Sequence, residues 1–542
     1  MRTSLISAGM AGTVALAVVS IAPAQAQKDI DQQLGNVHFR TSCNDAAQQH
    51  FNRAMRYQHS FWYRASKKAF EETLKADPNC AIAYWGIALS LWNNPHNAPP
   101  PQNLAPALAA IQKGQAIGAK TERERAYIDA LALVYKEHDK TEYRPRLMSY
   151  LKAMEALAQK YPDDDEAQIA YAITLNVSAS PADKTYAQQL KGAAILDPIS
   201  KRRPQHPGVT HYLIHLYDYP ALAQRGLDAA NRYAKVAPAA PHAQHMPSHI
   251  YTRVGYWRES IASNLESVKA ARADKENVDQ LHGQDYLVYA YLQLGRDKEA
   301  RAVIDDMAKV TGFNPNAFGA YFALAASSAR YAVERGDWNA AAQLQVQTSR
   351  FPQVMAITHF ARAIGAARTH KLDAANSEIA KLAELRDKLR AAKVAYWAEQ
   401  VEIQHQIASA WLLNARGKQG EAVAAMRAAA DIEDKTGKHP VTPGPLAPAR
   451  ELYAEMLLMH GKAKAALAAY EASKAKEPNR FRGYAGAAKA AEKLGNRAVA
   501  KANYEKLVAM TAETVGAGPR LAGATDDERP DLTAARAFLA KN

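Results

Sequence analysis

The pattern of apolar and polar positions along the chain predicts helices. Strict alternation of apolar and polar residues, which is typical of strands, is scarce, whereas alanine and leucine are abundant. The segment HGKAKAALAAYEASKAKEP places a turn glycine, an alanine and an aromatic residue at Gly461, Ala466 and Tyr470. The same three residue types recur with the same spacing in LGNRAVAKANYEKL, each displaced by one common interval. A repeated helix–turn–helix unit is therefore expected.

That interval, about 34 residues, is the length of the tetratricopeptide-type repeat. Equivalent turn positions can be followed toward the N-terminus at Gly417, His370, Gly336, Gly295 and Gly255. Because a single unit cannot bury its apolar face, neighbouring units must stack into a continuous core. We therefore predict an all-α fold, an α-solenoid of tetratricopeptide-like repeats from about residue 36 to 510. Such a chain would wind as a right-handed superhelix with a concave groove.

The expected organisation has five parts. These are a signal peptide at 1–26, N-terminal repeats at 36–200, central histidine-rich repeats at 201–310, C-terminal repeats at 311–510, and a loose tail at 511–542 with a short terminal helix. Two proline-rich stretches, NNPHNAPPPQN at 93–103 and HPVTPGPLAP at 439–448, are expected to be loops. His96, in the first of them, is expected to be solvated.

Two histidine pairs keep the repeat interval in the central region. THYLIHLYD at 210–218 holds His211 and His215, and QHMPSHIYT at 244–252 holds His245 and His249, so the pairs match after one repeat length. When the turn glycine is numbered 15, the histidines fall on positions 5 and 9, which share one helical stripe with position 2. Positions 7, 8 and 11 carry apolar or tyrosine residues. The histidine stripe therefore faces away from the packing surface, toward the groove.

Over three neighbouring repeats, six of the nine stripe positions are histidine. They are His211, His215, His242, His245, His249 and His282. Stacked helices lie about 10 Å apart, so imidazoles that reach inward from adjacent helices can meet. A histidine pair at i and i+4 on one helix face is a chelating arrangement, and imidazole-rich sites suit copper, zinc or iron. We therefore predict a transition-metal site whose ion the sequence leaves open.

Further residues are expected close to this site or along the groove. They are His59, His206, Asp218, Asp285 and Tyr289. Of these, Asp218 or Asp285 could orient a ligand imidazole. Pro247 lies between His245 and His249, and proline is tolerated only in the first turn of a helix. If a helix begins at Pro247, the pair is not a simple i,i+4 chelate and its convergence depends on the preceding turn.

Three functions are open at this point. The first is a protein that binds a partner or a small ligand in a groove that carries the metal. The second is a metalloenzyme, redox or hydrolytic, with an open coordination position. The third is a metal-free peptide-binding scaffold whose histidines line the groove. The sequence contains no GxSxG elbow, Walker loop, HExxH or Rossmann fingerprint, so it assigns neither a reaction nor catalytic residues.

The N-terminus predicts export. Arg2 precedes the apolar stretch LISAGMAGTVALAVVSIA, and Ala24-Gln25-Ala26 is typical of a signal-peptidase site, so the mature chain would begin near Gln27. We expect a periplasmic or secreted protein without a transmembrane segment. The formal net charge is +14, but the basic residues are spread along the chain, and an exported protein seldom meets nucleic acid. We therefore expect a protein, peptide or small-molecule partner; the oligomeric state is open.

The chain has two cysteines, Cys43 and Cys80. An oxidising compartment favours a disulfide between them, which would stabilise the fold by about 3–4 kcal/mol. The alternative is a pair of buried free thiols.

The motifs resemble a group of exported bacterial tetratricopeptide-repeat proteins. The matching stretches are TSC (41–43), HSFWYRASKKAF (59–70), DPNCAIAYWGIALS (77–90), HPGVTHYLIHLYD (206–218), HAQHMPSHIYTRVG (242–255) and HPVTPGPLAPARELYAEMLL (439–458). The resemblance implies export and a helical-repeat fold. It implies no reaction, because no reaction is attached to the group.

Overall fold

The computed structural model describes residues 33–180, 183–512 and 529–541. The predicted signal peptide lies outside these residues. Within them the chain is helical and forms no strand, so the all-α prediction is confirmed. Among these residues, no helix has both the length and the apolar character that crossing a bilayer would require.

Consecutive helices pack on one another along the chain, as in stacked helix–turn–helix repeats. The N-terminal part consists of α1 (Asp45–His59), α2 (Tyr63–Ala76), α3 (Ala81–Trp92), α4 (Pro101–Ile117), α5 (Glu122–Tyr135), α6 (Tyr143–Lys160), α7 (Asp165–Ser178) and α8 (Ala187–Arg202). The central part consists of α9 (Pro207–Tyr217), a 3-10 turn (Ala223–Gly226), α10 (Leu227–Val236), α11 (Pro241–His245), α12 (Pro247–Val254), α13 (Trp257–Ala273), α14 (Asn277–Gln293) and α15 (Asp297–Met307).

The C-terminal part continues the same arrangement. It consists of α16 (Phe318–Glu334), α17 (Trp338–Ala342), α18 (Pro352–Arg368), α19 (Leu372–Ala391), α20 (Ala395–Ala415), α21 (Gln419–Glu433), α22 (Ala449–Met459), α23 (Ala463–Lys476), α24 (Phe481–Lys493), α25 (Arg497–Thr511) and α26 (Pro530–Ala540). The last helix packs on α25, where the rings of Phe538 and Tyr504 lie 5.1 Å apart.

The turn residues that align the repeats adopt left-handed backbone conformations. Gly255 and Gly295 have φ angles of 71° and 67°, and His370, at an equivalent turn, has a φ of 57°. Glycine adopts this conformation without the steric penalty of a Cβ atom. At Gly255 a Cβ would also lie 2.6 Å from the carbonyl oxygen of Pro478, so this turn requires glycine for space as well.

The C-terminal helices pack back onto the central repeats. One apolar cluster joins Trp257 and Leu287 to Phe481 and Leu507, although the two groups lie several repeats apart in the sequence. The indole N–H of Trp257 donates to the carbonyl oxygen of Asn479 over 2.6 Å. The sequence pattern did not predict this contact, because repeat periodicity reports only neighbouring units. The loop at 437–448, which we call the covering loop, lies over the central helices.

Arg480 holds the returning helices in place through buried charges. Its guanidinium donates to the hydroxyl of Tyr289 over 2.7 Å and to a carboxylate oxygen of Glu451 over 3.0 Å, and it also pairs with Glu334. All three partner groups are shielded from solvent. At the other end of the chain, Cys43 and Cys80 form a disulfide.

Candidate metal centre

Helix α9 carries the first histidine pair and is buried along its whole length. Its first turn is fixed by Pro207 at the first helical position and by His206, whose Nδ1 accepts a hydrogen bond from the backbone N–H of Val209 over 3.3 Å. A helix that is buried all round belongs in a protein interior. His211 and His215 are therefore only 0% and 5% exposed.

The second pair spans the break between α11 and α12. The structure begins a new helix at Pro247, the alternative that the sequence left open. Met246, between the two helices, keeps helical angles of φ −54° and ψ −36°, so the chain continues its turn through the break. As a result, the Nε2 atoms of His245 and His249 still face each other at 3.0 Å.

The six predicted imidazoles lie in two groups of three. His211, His215 and His242 form what we call the first triad, and His245, His249 and His282 form the second triad. Within each triad, the potential ligand nitrogens all lie within 4.8 Å of one another. Two nitrogens bound to one ion at about 2.0–2.1 Å would themselves be about 3.0–3.4 Å apart. In each triad one Nε2–Nε2 pair, at 3.0 Å, already has this spacing, and the third nitrogen would move closer on binding an ion.

Hydrogen bonds fix the tautomers of the pair in the second triad. The Nδ1 of His249 lies 2.9 Å from a carboxylate oxygen of Asp218, and the Nδ1 of His245 lies 2.6 Å from the amide oxygen of Asn264. The amide nitrogen of Asn264 donates to the carbonyl oxygen of Ser260 over 2.7 Å, which fixes the orientation of the amide. Both Nδ1 atoms therefore carry hydrogen. In the neutral rings, both Nε2 atoms then present lone pairs to each other, an arrangement that a cation would stabilise.

The first triad is oriented by the main chain. The Nδ1 of His211 donates to the carbonyl oxygen of His59 over 2.6 Å, so its Nε2 presents a lone pair. That Nε2 lies 3.0 Å from the Nε2 of His215. The Nε2 of His242 is buried without a hydrogen-bond partner among the described residues. Buried polar atoms are rarely left unpaired, so this nitrogen is available to a ligand ion.

Asp218 connects the second triad to the covering loop. One carboxylate oxygen accepts from His249, the other accepts from Arg253 over 2.8 Å, and Lys438 of the covering loop lies 3.2 Å away. Burial alone would raise the pKa of this carboxyl group, but Lys438 and Arg253 hold it well below its usual range. The carboxylate is therefore charged. A carboxylate behind a histidine increases the basicity of the ring and fixes its orientation toward an ion.

Burial keeps the histidines neutral. Loss of solvent lowers the pKa of His211 and that of His282 to about 3, and it lowers the pKa of the other four rings as well. Neutral imidazole is the form that binds metals. The two triads are therefore in their binding form at neutral pH.

His59 and His206 belong to a third group, which is complete without an ion. The Nε2 atoms of both rings lie 3.0 Å from oxygens of Glu166. Because Val209 donates to the Nδ1 of His206, the Nε2 of that ring carries the hydrogen and donates to the carboxylate. The Nδ1 of His59 pairs with the hydroxyl of Tyr212 over 3.1 Å. These two residues therefore support the first triad from behind, through the His59 carbonyl.

Two other predicted residues are engaged elsewhere. Asp285 shares its repeat position with the histidines, but its carboxylate pairs with Arg330 from the next repeat. Tyr289 accepts from Arg480. Of the two carboxylates proposed from sequence to orient a ligand imidazole, Asp218 therefore occupies that place and Asp285 does not.

His96 is a residue that sequence reasoning missed. Its ring lies 4.4 Å from that of His215, and its Nε2 is buried without a hydrogen-bond partner in the described part of the chain. Burial lowers the pKa of His96 to about 4. The expectation that it is solvated is therefore wrong: the proline-rich loop folds inward over the first triad. The only sequence signal was a histidine within a loop of prolines and asparagines.

Aromatic side chains cover the remaining faces of the two triads. The ring of Phe61 lies 4.4 Å from His211 and stacks on His242 at 5.2 Å. Phe61 has a φ of 55°, a conformation that costs energy in a non-glycine residue and is often found at functional sites. Over the second triad, the hydroxyl of Tyr286 donates to the carbonyl oxygen of Thr442 in the covering loop over 3.3 Å. The stripe that would line an open groove is thus enclosed.

Comparison with known proteins adds little. No protein-family model and no curated protein matches the chain. Among solved structures, an IFIT1 monomeric mutant with Gppp-AAAA has a TM-score of 0.33 at 9% identity, and the match covers 90% of this chain and 100% of that one. The APC/C hetero-tetramer Cut9-Hcn1 has a TM-score of 0.28 at 10% identity, and the match covers 92% of this chain and 96% of that one. The tetratricopeptide domain of P58(IPK) has a TM-score of 0.20 at 12% identity, covering 91% and 98%. At TM-scores this low, these matches support no statement about the overall shape or the function of this chain.

Proposed function

We propose that this chain is an exported helical-repeat protein whose interior histidine cluster binds two transition-metal ions, one in each triad, and through them a small ligand. The observation that carries the proposal is the pair His245 and His249. Their Nε2 atoms face each other at 3.0 Å while both Nδ1 atoms donate elsewhere. An ion between the two nitrogens turns this repulsive contact into coordination.

Three further features support a centre that acts on a small ligand. Each triad supplies three nitrogens, which leaves a four-coordinate ion one open position. His242 and His282 are the half-buried members of their triads, so each ion would have one side closer to solvent. Phe61 and the covering loop enclose the triads, so the described residues leave little room for a peptide backbone. A small molecule is therefore favoured over a peptide as the ligand, and copper, zinc or iron are the candidate ions.

Elemental analysis of the mature, untagged protein tests the proposal. We expect about two transition-metal ions per wild-type chain. His242→Ala and His282→Ala each remove the outer member of one triad, so each variant should retain about one tightly bound ion. His460→Ala is the matched control, because that half-buried histidine pairs with Asn414, outside the cluster. A wild-type protein without bound metal after exposure to copper, zinc and iron would reject the proposal and leave the metal-free scaffold.

The export part of the proposal rests on the N-terminal sequence and is supported by the disulfide between Cys43 and Cys80, since disulfides persist in oxidising compartments. The intact mass of the protein recovered from a periplasmic or secreted fraction checks it. We expect a chain that begins near Gln27; a full-length chain confined to the cytoplasm would contradict export.

A further inference from the structure

The two triads lie side by side in the interior of the protein. The ring of His215, in the first triad, lies 6.2 Å from that of His249, in the second. A second link across the boundary joins the rings of His242 and His245, also at 6.2 Å. Ligands of the two proposed ions are thus close to one another at two places. Two ions held in the triads would therefore be neighbours.

The ligands of both triads are neutral. All six are imidazoles, and the one carboxylate that contacts them, Asp218 beside His249, faces two cations, Arg253 and Lys438, so it leaves no negative charge to balance an ion. Glu166 is held between His59 and His206. Among the described residues, no carboxylate therefore belongs to either triad. Burying charge without a counter-charge is expensive, so the two triads favour ions of the lowest charge. Of the metals that suit imidazole, copper has a stable singly charged state.

Aromatic rings cover both triads. Phe61 covers the first triad, and the rings of Tyr286 and His245 lie 4.7 Å apart at the second. The hydroxyl oxygen of Tyr286 lies 3.4 Å from the Nε2 of His249, on the metal side of that triad, while its hydrogen is directed to the covering loop. Apolar walls with one hydroxyl suit a small, uncharged ligand better than an ionic substrate.

We propose that the centre holds two copper(I) ions and that it binds one dioxygen molecule between them. The inference rests on the proposed function and names its metal and its ligand. Each copper(I) gives one electron, so two copper(II) ions form and dioxygen is reduced to the level of peroxide; no external reductant and no proton is required. The total charge of the centre is the same before and after binding. A buried site with neutral ligands can therefore carry out this step without a new counter-ion.

The test uses the full chain loaded anaerobically with copper(I) and freed of excess metal. On titration with dioxygen we expect uptake of about one molecule per two copper ions. Electron paramagnetic resonance should then detect almost no copper(II) signal, because the two spins couple through the bound molecule. His242→Ala and His282→Ala should each keep one copper and lose dioxygen uptake at least tenfold. His460→Ala should behave as wild type.

The outcomes separate this inference from the proposed function. If the chain binds two ions but takes up no dioxygen, or if copper(II) appears as two isolated spins per chain, the dioxygen site is rejected while the metal centre stands. Binding of two zinc or iron ions but no copper would likewise reject the dioxygen site and leave the metal centre standing. Uptake that falls only by half in each single-triad variant would show two independent ions and reject the pair. Absence of any bound metal rejects both proposals.

Discussion

Replacing Asn264 by alanine removes the acceptor that fixes the tautomer of His245. In the wild type, the amide oxygen accepts from the Nδ1 of His245 over 2.6 Å and the amide nitrogen donates to the carbonyl oxygen of Ser260 over 2.7 Å. Both Asn264 and His245 are buried, so alanine leaves a ring N–H without a partner. That loss alone should destabilise the metal-free protein by about 1–3 kcal/mol.

The larger consequence concerns the second triad. Without Asn264 the ring of His245 can turn or change tautomer, and its Nε2 no longer points at that of His249. Loss of such an outer hydrogen bond typically weakens metal binding by about 10–100-fold, which corresponds to about 1.4–2.7 kcal/mol. The hydrogen bonds of Asn264 do not reach the first triad, so its affinity should not change. Competition with a chelator of known affinity, followed ion by ion, measures the two sites separately.

The chain provides a matched control for this variant. Asn503 is also buried, on α25, and it also donates its amide nitrogen to a carbonyl oxygen four residues earlier, that of Val499, over 2.9 Å. It lies outside the histidine cluster and accepts from Lys474. Asn503→Ala should therefore lower stability without changing the affinity of either triad. Equal weakening of both triads in Asn264→Ala, or the same metal loss in Asn503→Ala, would contradict a role of Asn264 in orienting His245.

Three further predictions follow from the loops and the buried charges. His96→Ala should speed release of one of two ions by an order of magnitude or more, measured by chelator-driven dissociation; an unchanged rate for both would show that the loop only covers the site. Arg480→Ala should lower the free energy of unfolding by about 3–5 kcal/mol, because Glu334 and its buried neighbours lose their counter-charge. Denaturant unfolding measures this change, and a change below about 1 kcal/mol would contradict the prediction. Cys43→Ser should lower the free energy of unfolding by about 2–4 kcal/mol, measured in the same assay, and should leave the metal content unchanged. If the variant and the wild type were equally stable, the link to Cys80 would not constrain the unfolded chain.

Local periodicity was sufficient to predict the helical repeats. The turn glycines set a frame in which the histidines fell on one stripe, and in the structure Gly255 and Gly295 indeed have the left-handed φ of such turns. The break at Pro247 could not be resolved from sequence, because its effect depends on the angles of Met246. Those angles are helical, and the pair stays aligned.

Contacts between distant segments could not be read from the sequence. Nothing in the proline-rich loop around His96 indicates that it folds inward, since loops usually run over the surface. The return of the C-terminal helices onto the central repeats depends on Arg480 finding partners in two distant helices. Asp285 was the second candidate beside Asp218. Its repeat position suggested the site, but a neighbouring arginine, Arg330, neutralises it.

The most direct test of the account is a crystal structure of the metal-loaded protein with anomalous diffraction measured at the absorption edge of the bound metal. We predict two anomalous peaks, each about 2.0–2.1 Å from the Nε2 atoms of one triad. A single peak beside Glu166, between His59 and His206, or peaks confined to the protein surface, would contradict the assignment of the two triads as the metal centre.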